Sequence, residues 1–133
     1  MQRRSLATTM RVLAFGAAVL AAPVAASAQD HVLASGEFRG QSGHAASGGV
    51  SVVKTATGAV VVLASDFKFD GAPDPQLGFG KNGYVASTQF SKLKSNSGTQ
   101  TYQIPAAIDP ADYTEIWVWC EQYSVPLGVA TLK

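Results

Sequence analysis

The chain has one cysteine, two histidines and no methionine beyond residue 10. Each scarcity removes a class of chemistry. A lone cysteine cannot close an internal disulfide, so the fold must be held by packing alone. A blue-copper centre needs two histidines, a cysteine and usually a methionine. His31 and His44 both precede Cys120, and Met1 and Met10 lie at the extreme N-terminus, so that centre is excluded. Charged residues make up only 14% of the chain. No G-x-S-x-G elbow, H-E-x-x-H helix or other nucleophile and base pattern occurs, which leaves hydrolysis without machinery. The chain is not expected to be an enzyme by itself.

What is present begins with a leader. Arg3, Arg4 and Arg11 accompany an apolar run from Val12 to Ala26 that closes on Ala26-Ser27-Ala28. A basic start, a short apolar stretch and an A-x-A site form the pattern of a secretory signal peptide. Residues 1–28 are therefore read as a signal peptide and 29–133 as one domain, exported to the periplasm or secreted. Arg3-Arg4-Ser5-Leu6 loosely resembles a twin-arginine export signal, although paired arginines also occur in ordinary leaders. The run is too short and too rich in alanine for a membrane span, which takes about 20 strongly apolar residues. No later stretch comes closer, so no stable membrane insertion of the mature chain is expected. Three of the ten basic residues belong to the leader, leaving seven against nine acidic ones and a net charge near −2. That balance argues against nucleic acid as a partner.

After residue 28, short apolar runs alternate with glycine, proline and Asn/Asp/Ser turns, and no segment is long and periodic enough for a helix. The class is all-β, an antiparallel β-sandwich of roughly eight short strands. Gly36 to Arg39 opens it, followed by a Gly/Ser loop from Gly40 to Gly49 that carries His44. Val50–Lys54 and Ala59–Ala64 flank Thr55-Ala56-Thr57-Gly58, a hairpin connection with glycine at the positive-φ position. Val60 to Leu63 is uninterrupted apolar and reads as a central strand. Two prolines make Asp70 to Pro75 a loop. Its aspartates, with Asp66, supply the oxygen chemistry of a calcium site but not an EF-hand spacing, and Asp at turns commonly bonds the local backbone. Leu77 to Gly80, Phe90 to Lys94 and Thr99 to Ile104 are further short strands. Asp109 before Pro110 suits a single helical turn.

Aromatic mass concentrates in TEIWVWCEQYSVPLGVATL, residues 114–132. Successive side chains of a strand point to opposite faces, so Ile116, Val118 and Cys120 share one face and Trp117 and Trp119 the other. Tyr123 falls in phase with the tryptophans if the strand runs straight through Glu121. Cys120 then has three readings: a small inert core residue, a redox thiol, or a ligand to a metal or haem iron. Its sequence neighbours provide no activating cation; one would have to come from Arg39, Lys68 or His44 through the fold.

The order of these pieces resembles the DM13 domain. The residues that carry the resemblance are Gly36-Glu37-Phe38, Gly49-Val50, Leu63 with Asp66-Phe67, Pro73-Asp74, Leu93 with Ser97-Gly98-Thr99-Gln100, Tyr102, Pro105, Asp109, Tyr113, and Trp119-Cys120 with Val125, Gly128, Ala130 and Leu132. Glycine directly before proline-aspartate is loosened here to Gly71-Ala72-Pro73-Asp74. The family is associated with proposed electron transfer at cell surfaces and described as a β-sandwich. The resemblance implies that Cys120 matches a cysteine suspected of redox work, as a bare thiol or as ligand to a group such as haem. No C-x-x-C-H motif is present, so any haem would be non-covalent, with Cys120 and His44 or His31 as axial ligands and Trp117, Trp119 and Tyr123 as pocket walls. Two functions follow as expectations. One is an exported redox accessory working beside a membrane electron-transfer protein. The other is a binding or structural module that presents the Gly40–Gly49 and Asp70–Asp74 loops to a partner, with Cys120 buried in the core.

Overall fold

The computed structural model describes residues 30–133, together with the single position Gly16. The expected signal peptide lies outside the described residues.

Ten strands follow in chain order: β1 (His31–Gly40), β2 (Ala46–Ser47), β3 (Gly49–Thr55), β4 (Gly58–Leu63), β5 (Lys68–Phe69), β6 (Pro75–Gly80), β7 (Ser91–Lys92), β8 (Gln100–Gln103), β9 (Glu115–Cys120) and β10 (Val125–Thr131). Eight form one antiparallel sheet in the order β7-β6-β9-β10-β1-β3-β4-β8, and β2 pairs with β5. The class is all-β. The large sheet curls until it nearly closes into a barrel, so its two halves face each other across one core, as the layers of a sandwich would. No helix among the described residues is long and apolar enough to cross a membrane.

Strand β1 joins the halves. It pairs with β3 over His31–Glu37 and with β10 over Phe38–Gly40. The β3–β4 hairpin turns at Ala56-Thr57, with Gly58 at φ +148°. Val61 and Leu63 of β4 are fully buried, and β4 lies between β3 and β8, an interior strand as its apolar run predicts. The gap between the outermost strands is bridged by side chains: the Tyr102 hydroxyl accepts from the Lys94 N–H at 2.9 Å, and the Gln100 amide oxygen accepts from the Ser95 N–H at 3.2 Å. A buried tyrosine and glutamine thus satisfy backbone donors that no neighbouring strand reaches.

Several element boundaries differ from the sequence reading. The first strand starts at His31 rather than Gly36, and the strand expected over Phe90–Lys94 shrinks to Ser91–Lys92. Strand β4 stops at Leu63, and Phe67 and Phe69 reach the core from a turn and from β5. The single helical turn appears as a 3-10 turn at Pro110–Asp112, capped by the Asp109 carboxylate, which accepts from the Ala111 N–H at 3.0 Å.

Candidate functional site

Strand β9 is paired on both sides, with β6 and with β10. Its burial alternates as its sequence predicts: Ile116, Val118 and Cys120 are buried, and Trp117 and Trp119 are half-buried. The first three belong to the barrel core with Leu77, Phe79 and Leu127. Cys120 is the last residue of the strand, 2% exposed, opposite Pro75 on one side and Val125 on the other. Its sulfur makes no hydrogen bond among the described residues. An open groove of about 850 Å³ between Leu33, Lys54, Ile104 and Pro110, a smaller hollow adjoining it at Leu33 and Pro110, and another beside Phe69 do not include Cys120 in their walls.

The other residues expected beside Cys120 are distributed differently. Strand β9 ends at Cys120 instead of continuing, so Tyr123 falls on the Glu121–Ser124 turn, 62% exposed and out of line with the tryptophans. The His44 Nδ1–H donates to the Asp70 carboxylate at 2.9 Å, and the ring lies 5.9 Å from that of Phe69. Arg39 pairs with Val129, which pairs with Trp117, so Arg39 lies on the outer face. Lys68 is exposed on β5. His31 begins β1 opposite Lys54. Asp66, Asp70 and Asp74 do not converge: they accept from the Gly49 N–H, from His44 and the Ala45 N–H, and from the Gln76 amide respectively. No group of three or more metal-ligating side chains occurs among the described residues.

The Asp70 clasp ties the Gly40–Gly49 loop to β5. Its carboxyl is held below the ordinary 3.8, first by the Ala45 N–H and then by His44. A carboxyl with a depressed folded-state pKa adds stability above its unfolded value, and this is lost as pH falls through the folded one. Thermal scans should therefore show Asp70→Asn less stable than the parent at neutral pH, with the gap closing below pH 3.8. A gap that persists to the lowest pH would show that the clasp owes nothing to charge.

The outer face of β9 carries a second arrangement. Trp119 stacks on Tyr84 with centroids 4.3 Å apart and planes 12° apart. Tyr84 comes from the loop between β6 and β7, which is clamped onto β6 by Thr88. The Thr88 hydroxyl accepts from the Phe79 N–H at 2.7 Å, while the Val85 N–H donates to the Phe79 carbonyl and the Phe90 N–H to the Leu77 carbonyl, each at 3.0 Å. The Gly83 N–H donates to the Glu115 carboxylate at 2.8 Å. Gly78 provides the floor: a Cβ there would stand 2.6 Å from Tyr84 Cε2. The Tyr84 hydroxyl donates to the Gln89 amide oxygen at 3.0 Å, and its ionisation is pushed up to about 12 by burial and by the nearby Glu121 charge. Trp117 lies over Gly80, its Nε1 buried with no hydrogen-bond partner among the described residues. Val129, opposite Trp117 on β10, is 2% exposed although it is outside the barrel core, so the outer face has an apolar layer of its own. The sequence reading placed both tryptophans on this face but missed Tyr84 and Gly78. The only local signal was the Lys81-Asn82-Gly83 turn that precedes the tyrosine.

A family model described as electron transfer DM13 matches residues 37–132. The chain belongs to the DM13 family. No curated protein and no solved structure matches it. The match runs from β1 to the residue after β10 and so takes in the barrel, Cys120 and the aromatic face of this DM13 domain. Haem does not fit its packed state. The cysteine is buried in the barrel core and lines none of the three hollows, so its sulfur has no open face to offer an iron.

Proposed function

We propose that this DM13 domain is an exported accessory of one-electron transfer, acting in the periplasm or outside the cell beside a membrane electron-transfer protein. The observation that supports the reading is the family match, described as electron transfer and running from the second half of β1 to the residue after β10. The leader-like start supports export. In this reading Cys120 is a packed thiol in the resting fold, reached by a partner only when the end of the barrel opens at the Glu121–Ser124 turn. The thiol is 2% exposed in the resting fold, out of reach of a partner at the surface. Bare-thiol chemistry at the resting surface is therefore not part of the proposal.

The burial of Cys120 favours a second reading, a binding or structural module in which this residue is packing. Electron flow from cell-envelope preparations to ferricyanide distinguishes the two. Preparations lacking the protein should pass electrons more slowly, and adding the purified protein back should restore the rate. Equal rates with and without it would leave the module reading.

A further inference from the structure

We propose that the Trp119–Tyr84 stack is a surface relay for single electrons, with Trp119 as the residue that gives up and regains the electron. The inference rests on the electron-transfer reading and gives it a route that does not pass through Cys120.

Four features of the outer face carry it. The rings lie nearly parallel at 4.3 Å, the offset or face-on range in which two π systems share charge. Neither ring is sealed in the barrel core, and both are partly exposed, so a docked redox partner can approach without unfolding. The position of Tyr84 is built rather than incidental. A glycine at 78 leaves room for the ring, and the Thr88 clamp and the Gln89 amide hold it there. Glu121 lies close enough for its charge to be felt at Tyr84, and a carboxylate beside the stack stabilises positive charge on it.

The step balances without any bond breaking. One electron leaves the indole π system of Trp119 for a one-electron oxidant of the metal-complex class, which is reduced by one. The hole is shared with the Tyr84 ring. A one-electron donor, also of the metal-complex class, then refills it and is oxidised by one, so the protein is unchanged over the cycle. Tyrosine is the poorer terminus because a tyrosine that loses an electron must also shed its hydroxyl proton. The Tyr84 hydroxyl faces an amide oxygen, not a base. Trp117, two residues along the same face, has no stacked ring partner among the described residues, which makes it an internal control.

The test is laser flash-quench oxidation of the purified protein with a tris-bipyridyl ruthenium photosensitiser, followed by the transient absorption of the oxidised indole. Trp119→Phe should lose most of the indole signal, while Trp117→Phe should keep it. Tyr84→Phe keeps an aromatic ring for the stack but loses the Gln89 hydrogen bond, and should slow oxidation by less than Gly78→Ala does. Gly78→Ala keeps both rings but drives Tyr84 off its floor, and should slow oxidation by about tenfold, the rate equivalent of one aromatic stack. Near-ultraviolet circular dichroism checks that each variant is folded. A signal that survives Trp119→Phe and vanishes with Trp117→Phe would overturn the relay, as would an unchanged rate in folded Gly78→Ala. Either result would leave the envelope assay, and with it the broader reading, standing.

Discussion

Cys120 is expected to react with a small aromatic disulfide reagent at least about 10³-fold more slowly in the native protein than in denaturant. The sulfur points into the barrel core at the end of a strand paired on both sides, so a reagent meets it only after β9 has parted from a neighbour. Such openings cost free energies up to that of global unfolding, commonly about 5–15 kcal/mol, and each 1.4 kcal/mol is about a factor of ten. Stopped-flow absorbance of the released thiolate, with and without guanidinium and across pH, measures the ratio. Fast native modification with an apparent pKa below about 7 would identify an accessible, activated thiolate instead. The companion variant Cys120→Ser should lower stability by ~1–3 kcal/mol, because a hydroxyl replaces the thiol where no hydrogen-bond partner awaits it. An unchanged denaturation midpoint would contradict the burial.

Phe79→Ala is expected to cost about 3–5 kcal/mol, the usual penalty for truncating a fully buried phenylalanine. Phe79 has no exposed surface, and its ring lies 5.4 Å from that of Phe90 and 5.6 Å from that of Tyr113. It therefore joins β6 to the loops that carry Phe90 and Tyr113. Its backbone N–H and carbonyl hold the loop that presents Tyr84. The loss should appear as a lower midpoint in urea and as a weakened near-ultraviolet signal from the Tyr84–Trp119 stack. A destabilisation under about 1 kcal/mol would show that the neighbouring rings collapse into the space.

The all-β class, the β3–β4 hairpin, the buried apolar run of β4 and the two-faced β9 were legible because each depends on a local pattern. Strand side chains alternate with a period of two, and glycine at Gly58 marks a turn that other residues resist. The helical turn after Asp109 is likewise a local matter of a cap and a proline. Boundaries were less legible. The N-terminal half of β1 carries the exposed Val32 and Leu33, so its apolar pattern does not announce a strand; pairing with β3 makes it one. Tyr123 was placed in line with the tryptophans on the assumption of a straight strand, which the Glu121–Ser124 turn breaks.

By itself, then, the sequence determined which face of β9 each residue occupies, and hence that Cys120 shares its side with Ile116 and Val118 and not with the tryptophans. It also carried the ordered residues by which the chain resembles DM13. Tertiary structure alone decided that this shared side is the sealed interior of a nearly closed barrel, because closure depends on how β1 divides its pairing between β3 and β10. It alone brought together His44 and Asp70, 26 residues apart, and seated Tyr84 on Trp119, 35 positions away. Contacts between distant segments follow from strand order and register, and neither can be read from the local alternation of side chains that identifies a strand.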